Sequence, residues 1–210
     1  MVTFSKDDIQ GALNRAIQLT MFHEKSLLMN KCSERAIVHW LANYFYLFVN
    51  KKQQYSCNGY VVDVEYNRIG ENGEYKTLLS CNDLKCTHQS NCTKRLLENI
   101  INKDEKSSEN KRILIDMIYH LRGKNTLDGN VFCMEVKTTT VGENDYHHVC
   151  DKNRIETLVK RGGRISYQYG ATVYFRRSTE AFVRFFDHTV TEPEKYIIYK
   201  SGKIERLSEG

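Results

Sequence analysis

Ile113-Leu114-Ile115-Asp116-Met117-Ile118-Tyr119-His120-Leu121 and, after a loop containing Gly123 and Gly129, Val131-Phe132-Cys133-Met134-Glu135-Val136-Lys137-Thr138 decide how this chain is read. Both stretches are apolar on both faces, the pattern of central strands covered from two sides. Charge interrupts each one, as Asp116 in the first and as Glu135 and Lys137 in the second. Burying such groups is costly unless they are paired or hold a cation. A simple antiparallel hairpin with its loop over Arg122 to Gly129 sets position 116 opposite position 135. Directly opposed residues share a face with Cβ atoms ~5 Å apart, and Lys137 shares that face with Glu135. Two adjacent carboxylates repel unless a proton or cation lies between them. Mg²⁺ prefers oxygen ligands and keeps several waters, which suits a carboxylate pair with an open side. The alignment assumes no bulge, since one extra residue reverses the facing.

The Glu-x-Lys spacing by itself carries little, because Glu74-Tyr75-Lys76 repeats it in a polar, glycine-bearing segment. Context separates the two triplets. The competing reading of Asp116, Glu135 and Lys137 is a structural ion pair between strands.

Outward from this pair, about Asp7 to Met29 reads as a helix with Ile9, Leu13, Ile17, Met21, Leu27 and Leu28 at helical spacing. Ser33 suits the N-cap of a second helix to about Asn50, whose stripe is Ile37, Trp40, Leu41, Tyr44, Phe45 and Phe48. Glu34 falls on the same side of it, although an acid in a first turn also simply favours the helix dipole. Tyr60 to Tyr66 reads as a strand, with Glu65 on its solvent side. Residues 70–112 are polar, charged and cysteine-bearing, and read as an insertion. Asp151 suits the cap of a short helix with Ile155, Leu158 and Val159 on its buried side. A strand over about Ile165 to Phe175, a short helix over Thr179 to Phe186 and a hairpin turning at Ser201-Gly202 close the chain. His39 and His120 read as packed or surface histidines. The element order predicts an α/β fold, a mixed β-sheet flanked by helices.

Bulk properties narrow the class. The chain has 210 residues and a hydrophobic fraction of 40%, enough for one cored domain. An opening with early acids and no apolar run, and no long apolar span elsewhere, predict a cytoplasmic protein without a membrane partner. Seven cysteines without a secretory leader point to thiols or a metal, not disulfides. Net charge is +5, and between Asp151 and Arg184 eight basic residues face three acidic ones. Lys160, Arg161, Arg164, Arg176 and Arg177 are the candidates for contacting nucleic-acid phosphates, with an ordinary solvated face as the alternative.

Asp116 followed by Glu135-Val136-Lys137 on the next strand resembles the signature of the PD-(D/E)XK nuclease superfamily, the restriction-endonuclease-like fold. Ser33-Glu34-Arg35-Ala36, Val62-Asp63-Val64-Glu65-Tyr66-Asn67-Arg68 and Tyr167-Gln168-Tyr169-Gly170 extend the resemblance to small members of that superfamily. It covers roughly residues 10 to 175, with a gap at the insertion; Ile115 stands where the motif has proline. The resemblance implies a helix, a three-stranded meander, a helix and a strand, within one nuclease-like domain over residues 1–210 with 176–210 as a C-terminal extension. It implies a Mg²⁺- or Mn²⁺-dependent endonuclease, a phosphodiester hydrolase with DNA as the expected substrate. Asp116, Glu135 and the Val136 carbonyl would ligate Mg²⁺, Lys137 would orient the attacking water, and Glu34 would approach from the helix as an additional ligand, directly or through water. Two alternatives stand beside it: a noncatalytic nucleic-acid-binding module of the same fold, and a zinc-organised interaction protein.

That last alternative rests on Cys81, Cys86, His88 and Cys92, a C-x4-C-x-H-x3-C pattern that fits structural Zn²⁺. Reduced loop thiols explain it equally well. Oligomeric state, including self-association, is left open by the sequence.

Overall fold

The computed structural model describes residues 4–30, 33–52, 59–66, 68–69, 74–75, 77–78, 111–112, 115–138, 146–159 and 166–207. Helix α1 spans Lys6–His23, capped by Ser5, whose side chain accepts the Asp8 N–H at 3.1 Å. Its buried residues Ile9, Ala12, Leu13, Ala16, Ile17, Thr20 and Met21 recur at helical spacing. The predicted single helix to Met29 is broken at Glu24, which caps α1 and starts the five-residue α2, Lys25–Met29. Helix α3, Glu34–Lys52, follows as expected and lies against α1.

Seven strands form one sheet: β1 Tyr60–Tyr66, β2 Ile115–Leu121, β3 Asn130–Lys137, β4 Tyr169–Arg176, β5 Glu180–Asp187, β6 Glu194–Tyr199 and β7 Ile204–Arg206. They lie in chain order, and every neighbouring pair is antiparallel except β3 with β4. A parallel pair needs a crossover, and helix α4, Tyr146–Val159, supplies it. The architecture is thus a mixed sheet flanked by helices, as the element order predicts. Between β1 and β2, two-residue ladders pair Arg68–Ile69 with Glu74–Tyr75 and Thr77–Leu78 with Lys111–Arg112; most of residues 70–112 lies outside the described set. Among the described residues no helix is long and apolar enough to cross a membrane.

The larger core lies between α1, α3 and one face of the sheet, where Met117, Tyr119, Phe132, Met134, Val136, Val173 and Phe185 pack. A smaller core under α4 joins Ile118, Cys133, Ile155, Leu158, Val159, Tyr167 and Phe186. The residues predicted as a helix from Thr179 to Phe186 form β5 instead. Ala181, Val183 and Phe185 enter the larger core while Phe186 enters the smaller, so an alternating strand with two buried faces imitates a helical run. Asp151 does not cap α4; it sits inside a helix that begins at Tyr146. The predicted strand from Ile165 starts later, at Tyr169. The closing hairpin turns where expected, with Gly202 at φ +91°.

The β2–β3 register has a consequence for the site. Met117 faces Met134, Ile118 faces Cys133 and Tyr119 faces Phe132, but His120 faces Asn130, a slip of one residue. In the phase of the loop end, position 116 would fall opposite 134, on the wrong face for Glu135. The bulge between Tyr119 and His120 restores the phase in which 116 falls opposite 135. The expected juxtaposition is therefore reached with a bulge, not without one.

Gly170 is where α4 meets β4. A Cβ there would stand 2.6 Å from Ile155 Cγ2 and 2.7 Å from Val159 Cγ2, both branched and held by the helix. Gly170→Ala is expected to destabilise the fold by about 1–3 kcal/mol, read as a lower urea midpoint at unchanged slope.

Candidate functional site

Charged side chains from four elements meet at one end of the sheet. Glu34 comes from the first turn of α3, Asp116 from the start of β2, and Glu135 and Lys137 from the end of β3. The crossover returns the middle of α4 to this end, carrying Asp151 and Arg154 one turn apart. Asp116 Oδ2 accepts the Val136 N–H at 2.8 Å, tying the two strands together beside the carboxylates. Lys137 Nζ donates to Glu34 Oε1 at 2.9 Å and to the Val136 carbonyl at 3.0 Å, and lies 3.6 Å from Asp151 Oδ2. Arg154 Nη1 donates to Glu135 Oε1 at 2.5 Å and lies 3.8 Å from Asp151 Oδ1.

Four carboxylates thus share two cations, and the excess is negative. Glu135 is 2% exposed and Asp151 is 4% exposed, so water screens neither well. Burial pushes the Glu135 carboxyl well above the ordinary range; Arg154 opposes this, while Asp116 and Asp151 add to it. Burial also raises Asp151, against Lys137 and Arg154. Glu34 is raised by burial against its bond to Lys137. Burial would lower Lys137, but Asp151, Asp116 and Glu34 together hold its ammonium charged. Asp151 Oδ2 is buried and makes no hydrogen bond among the described residues.

Glu34, Asp116, Glu135 and Lys137, all predicted from the sequence, are brought together here. Val136 is adjacent, but its carbonyl already accepts Lys137. Arg176 and Arg177 lie exposed on the β4–β5 turn, Arg176 at 3.4 Å from Glu180. Lys160, Arg161 and Arg164 lie outside the described residues, as do Cys81, Cys86, His88 and Cys92. His120 sits at the other end of β2, 2.8 Å from Asp63, which Arg122 also grips. The sequence reading missed Asp151 and Arg154 as site residues, taking the first for a cap and the second for one of the eight basic residues between 151 and 184. Their spacing to Ile155 and Leu158 was the available signal, since it puts both on the buried stripe of α4.

Beside the cluster, a cleft of about 440 Å³ opens between α3 and the start of the sheet, lined by Ser33, Glu34, Arg35, Val38, His39, Val64 and Asp116.

Among the described residues no three His, Cys, Asp or Glu side chains form a ready metal cage. Mg²⁺ does not require one, being held through one or two carboxylates with waters completing its shell. Asp116 and Glu135, with the negative excess around them and the unbonded Asp151 oxygen, fit that demand. No family model, curated protein or solved structure matches the chain.

Removing Arg154 would leave Glu135 buried without its counter-ion. Arg154→Met is expected to cost about 3–5 kcal/mol, and Glu135→Gln in the same chain should recover much of it in a denaturant double-mutant cycle. The carboxyls raised in the fold set a pH dependence of definite sign. Between the ordinary carboxylate pKa and the raised folded value, the native state binds more protons than the unfolded chain. The contribution of Glu34, Glu135 and Asp151 to stability therefore falls as pH rises through that window. Unfolding curves of wild type and Glu135→Gln across it should converge at low pH and separate toward neutrality.

Proposed function

We propose that this protein is a divalent-cation-dependent nuclease that hydrolyses phosphodiester bonds, with DNA as its substrate. The observation that carries the reading is the meeting of Asp116, Glu135 and Lys137 on one face at the end of the sheet, with Glu34 bonded to Lys137. The order of α3, the antiparallel β1–β2–β3, α4 and the parallel β4 is also the order that the PD-(D/E)XK resemblance implies.

In this reading Asp116 and Glu135 hold Mg²⁺ or Mn²⁺, which when bound supplies Lewis-acid polarisation of the phosphoryl group and an acidified water. Lys137, kept charged by its carboxylate neighbours, orients the attacking water and stabilises negative charge as it develops. Glu34 positions Lys137 from α3. Asp151 and Arg154 supply the surrounding charge that keeps Glu135 and Lys137 in place. Arg176 and Arg177, exposed on their turn, are candidates for contacting the phosphate backbone, which favours affinity over sequence choice.

A noncatalytic nucleic-acid-binding module is the second reading. It is favoured by one feature: Glu135 and Lys137 already have partners within the chain, in Arg154 and Glu34. Plasmid and single-stranded DNA incubated with Mg²⁺ or Mn²⁺ separate the two. Wild type should cleave, Asp116→Ala and Glu135→Ala should not, and Lys137→Ala should lose on the order of 10²–10³ in kcat. No cleavage of either substrate by wild type, or unchanged cleavage by the two carboxylate variants, would sink the nuclease reading. Independently of activity, added Mg²⁺ should raise the melting temperature of wild type and lose that effect in Asp116→Ala.

A further inference from the structure

The cleft beside the cluster is too large for a water or a lone cation. Its volume of about 440 Å³ falls within the ~300–1,000 Å³ of sites that hold small organic ligands. Its walls differ in kind. Glu34 and Asp116 form the side shared with the ion cluster, Arg35 and His39 stand one helical turn apart on α3, and Val64 supplies an apolar surface backed by the nearly buried Val38. Val64 is 41% exposed on the sheet's edge strand, and α3 presents Arg35 and His39 to solvent. A guanidinium beside an imidazole whose Nε2 lies 3.1 Å from Asn43 Nδ2, an apolar seat and an acidic rim together match one repeating unit of a nucleic-acid strand. The phosphate would go to Arg35 and His39 and the base to the valines, while the next phosphate along the chain reaches the carboxylates.

We propose that this cleft is a nucleotide subsite, in which Arg35 and His39 receive a phosphate adjoining the cleaved bond and Val38 and Val64 seat its base. The assignment rests on the nuclease reading for its substrate class, but binding in the cleft does not require cleavage. Trp40, the single tryptophan of the chain, lies 41% exposed on the same helix, its ring 5.7 Å from that of His39. Trp40 does not line the cleft, but its contact with His39 couples the indole to a nucleotide that touches His39.

The test is a titration of Trp40 emission in EDTA, where metal-dependent cleavage is suppressed, with a short single-stranded oligodeoxynucleotide. A nucleoside 5′-monophosphate and inorganic phosphate serve as competitors. The oligonucleotide should change the emission saturably, and the monophosphate should displace it better than inorganic phosphate. Arg35→Ala and His39→Ala should each raise Kd roughly three- to tenfold, the loss of one polar contact. Val64→Asp, a surface change on an edge strand, should weaken binding at least as much. In cleavage assays the same variants should raise KM and leave kcat near wild type. Absent emission change, an unaltered Kd in all three variants, or equal competition by inorganic phosphate overturns the subsite. Saturable binding with these variant effects but no cleavage keeps the subsite and removes the nuclease reading. Cleavage with KM unchanged in all three variants does the reverse.

Discussion

The contact on which the site depends is that between Arg154 and Glu135. Glu135 lies in a strand whose other positions from Asn130 to Val136 are all buried. An ionised carboxylate there is tolerated only with a cation against it, and α4 delivers the guanidinium. That requirement fixes the rotation of α4 about its axis, because the face bearing Asp151 and Arg154 must meet the end of β3. The same rotation points Ile155, Leu158 and Val159 into the smaller core. Electrostatics at one end of the helix and hydrophobic packing at the other thus demand a single orientation, which is the kind of agreement between levels that specifies one fold.

The cluster also divides its labour by exposure. Glu135 and Asp151 are buried, whereas Glu34 and Lys137 are half-buried and Asp116 borders an open cleft. On the closed side Asp151 lies away from solvent and Arg154 fixes the Glu135 carboxylate, which feels the charge of Asp116. The groups on the open side can meet solvent or a ligand. A site with excess negative charge behind it and an accessible carboxylate in front suits a cation that also touches an anionic substrate.

Much of this was legible in the sequence because two largely apolar strands carried charge at only three positions. Asp116, Glu135, Lys137 and Glu34 all meet, yet the reasoning about register succeeded by way of a compensation. The loop end pairs one residue out of the assumed phase, and the bulge beside His120 corrects it; nothing in Tyr119-His120 announces a bulge. Asp151 and Arg154 were hidden for a different reason. A charged residue on a helix defaults to a cap or a solvated face, and only knowing which stripe is buried reverses that default. The same ambiguity made β5 look helical, since a strand packed on both sides loses its two-residue alternation. His39 was set aside as a single histidine, and its place in a cleft depends on Arg35, Val64 and Asp116, which only the folded sheet brings together.

The bond from Lys137 to Glu34 joins residues 103 apart in sequence. Local contacts form early in folding, and closing a loop of that length comes late because its entropy must be lost before the contact returns anything. Helix α3 and the β2–β3 hairpin must be brought together before the lysine meets its glutamate. A chain in which α3 has come away from the sheet therefore contains the charged residues without the site, and any chemistry the site performs is confined to molecules in which they have met.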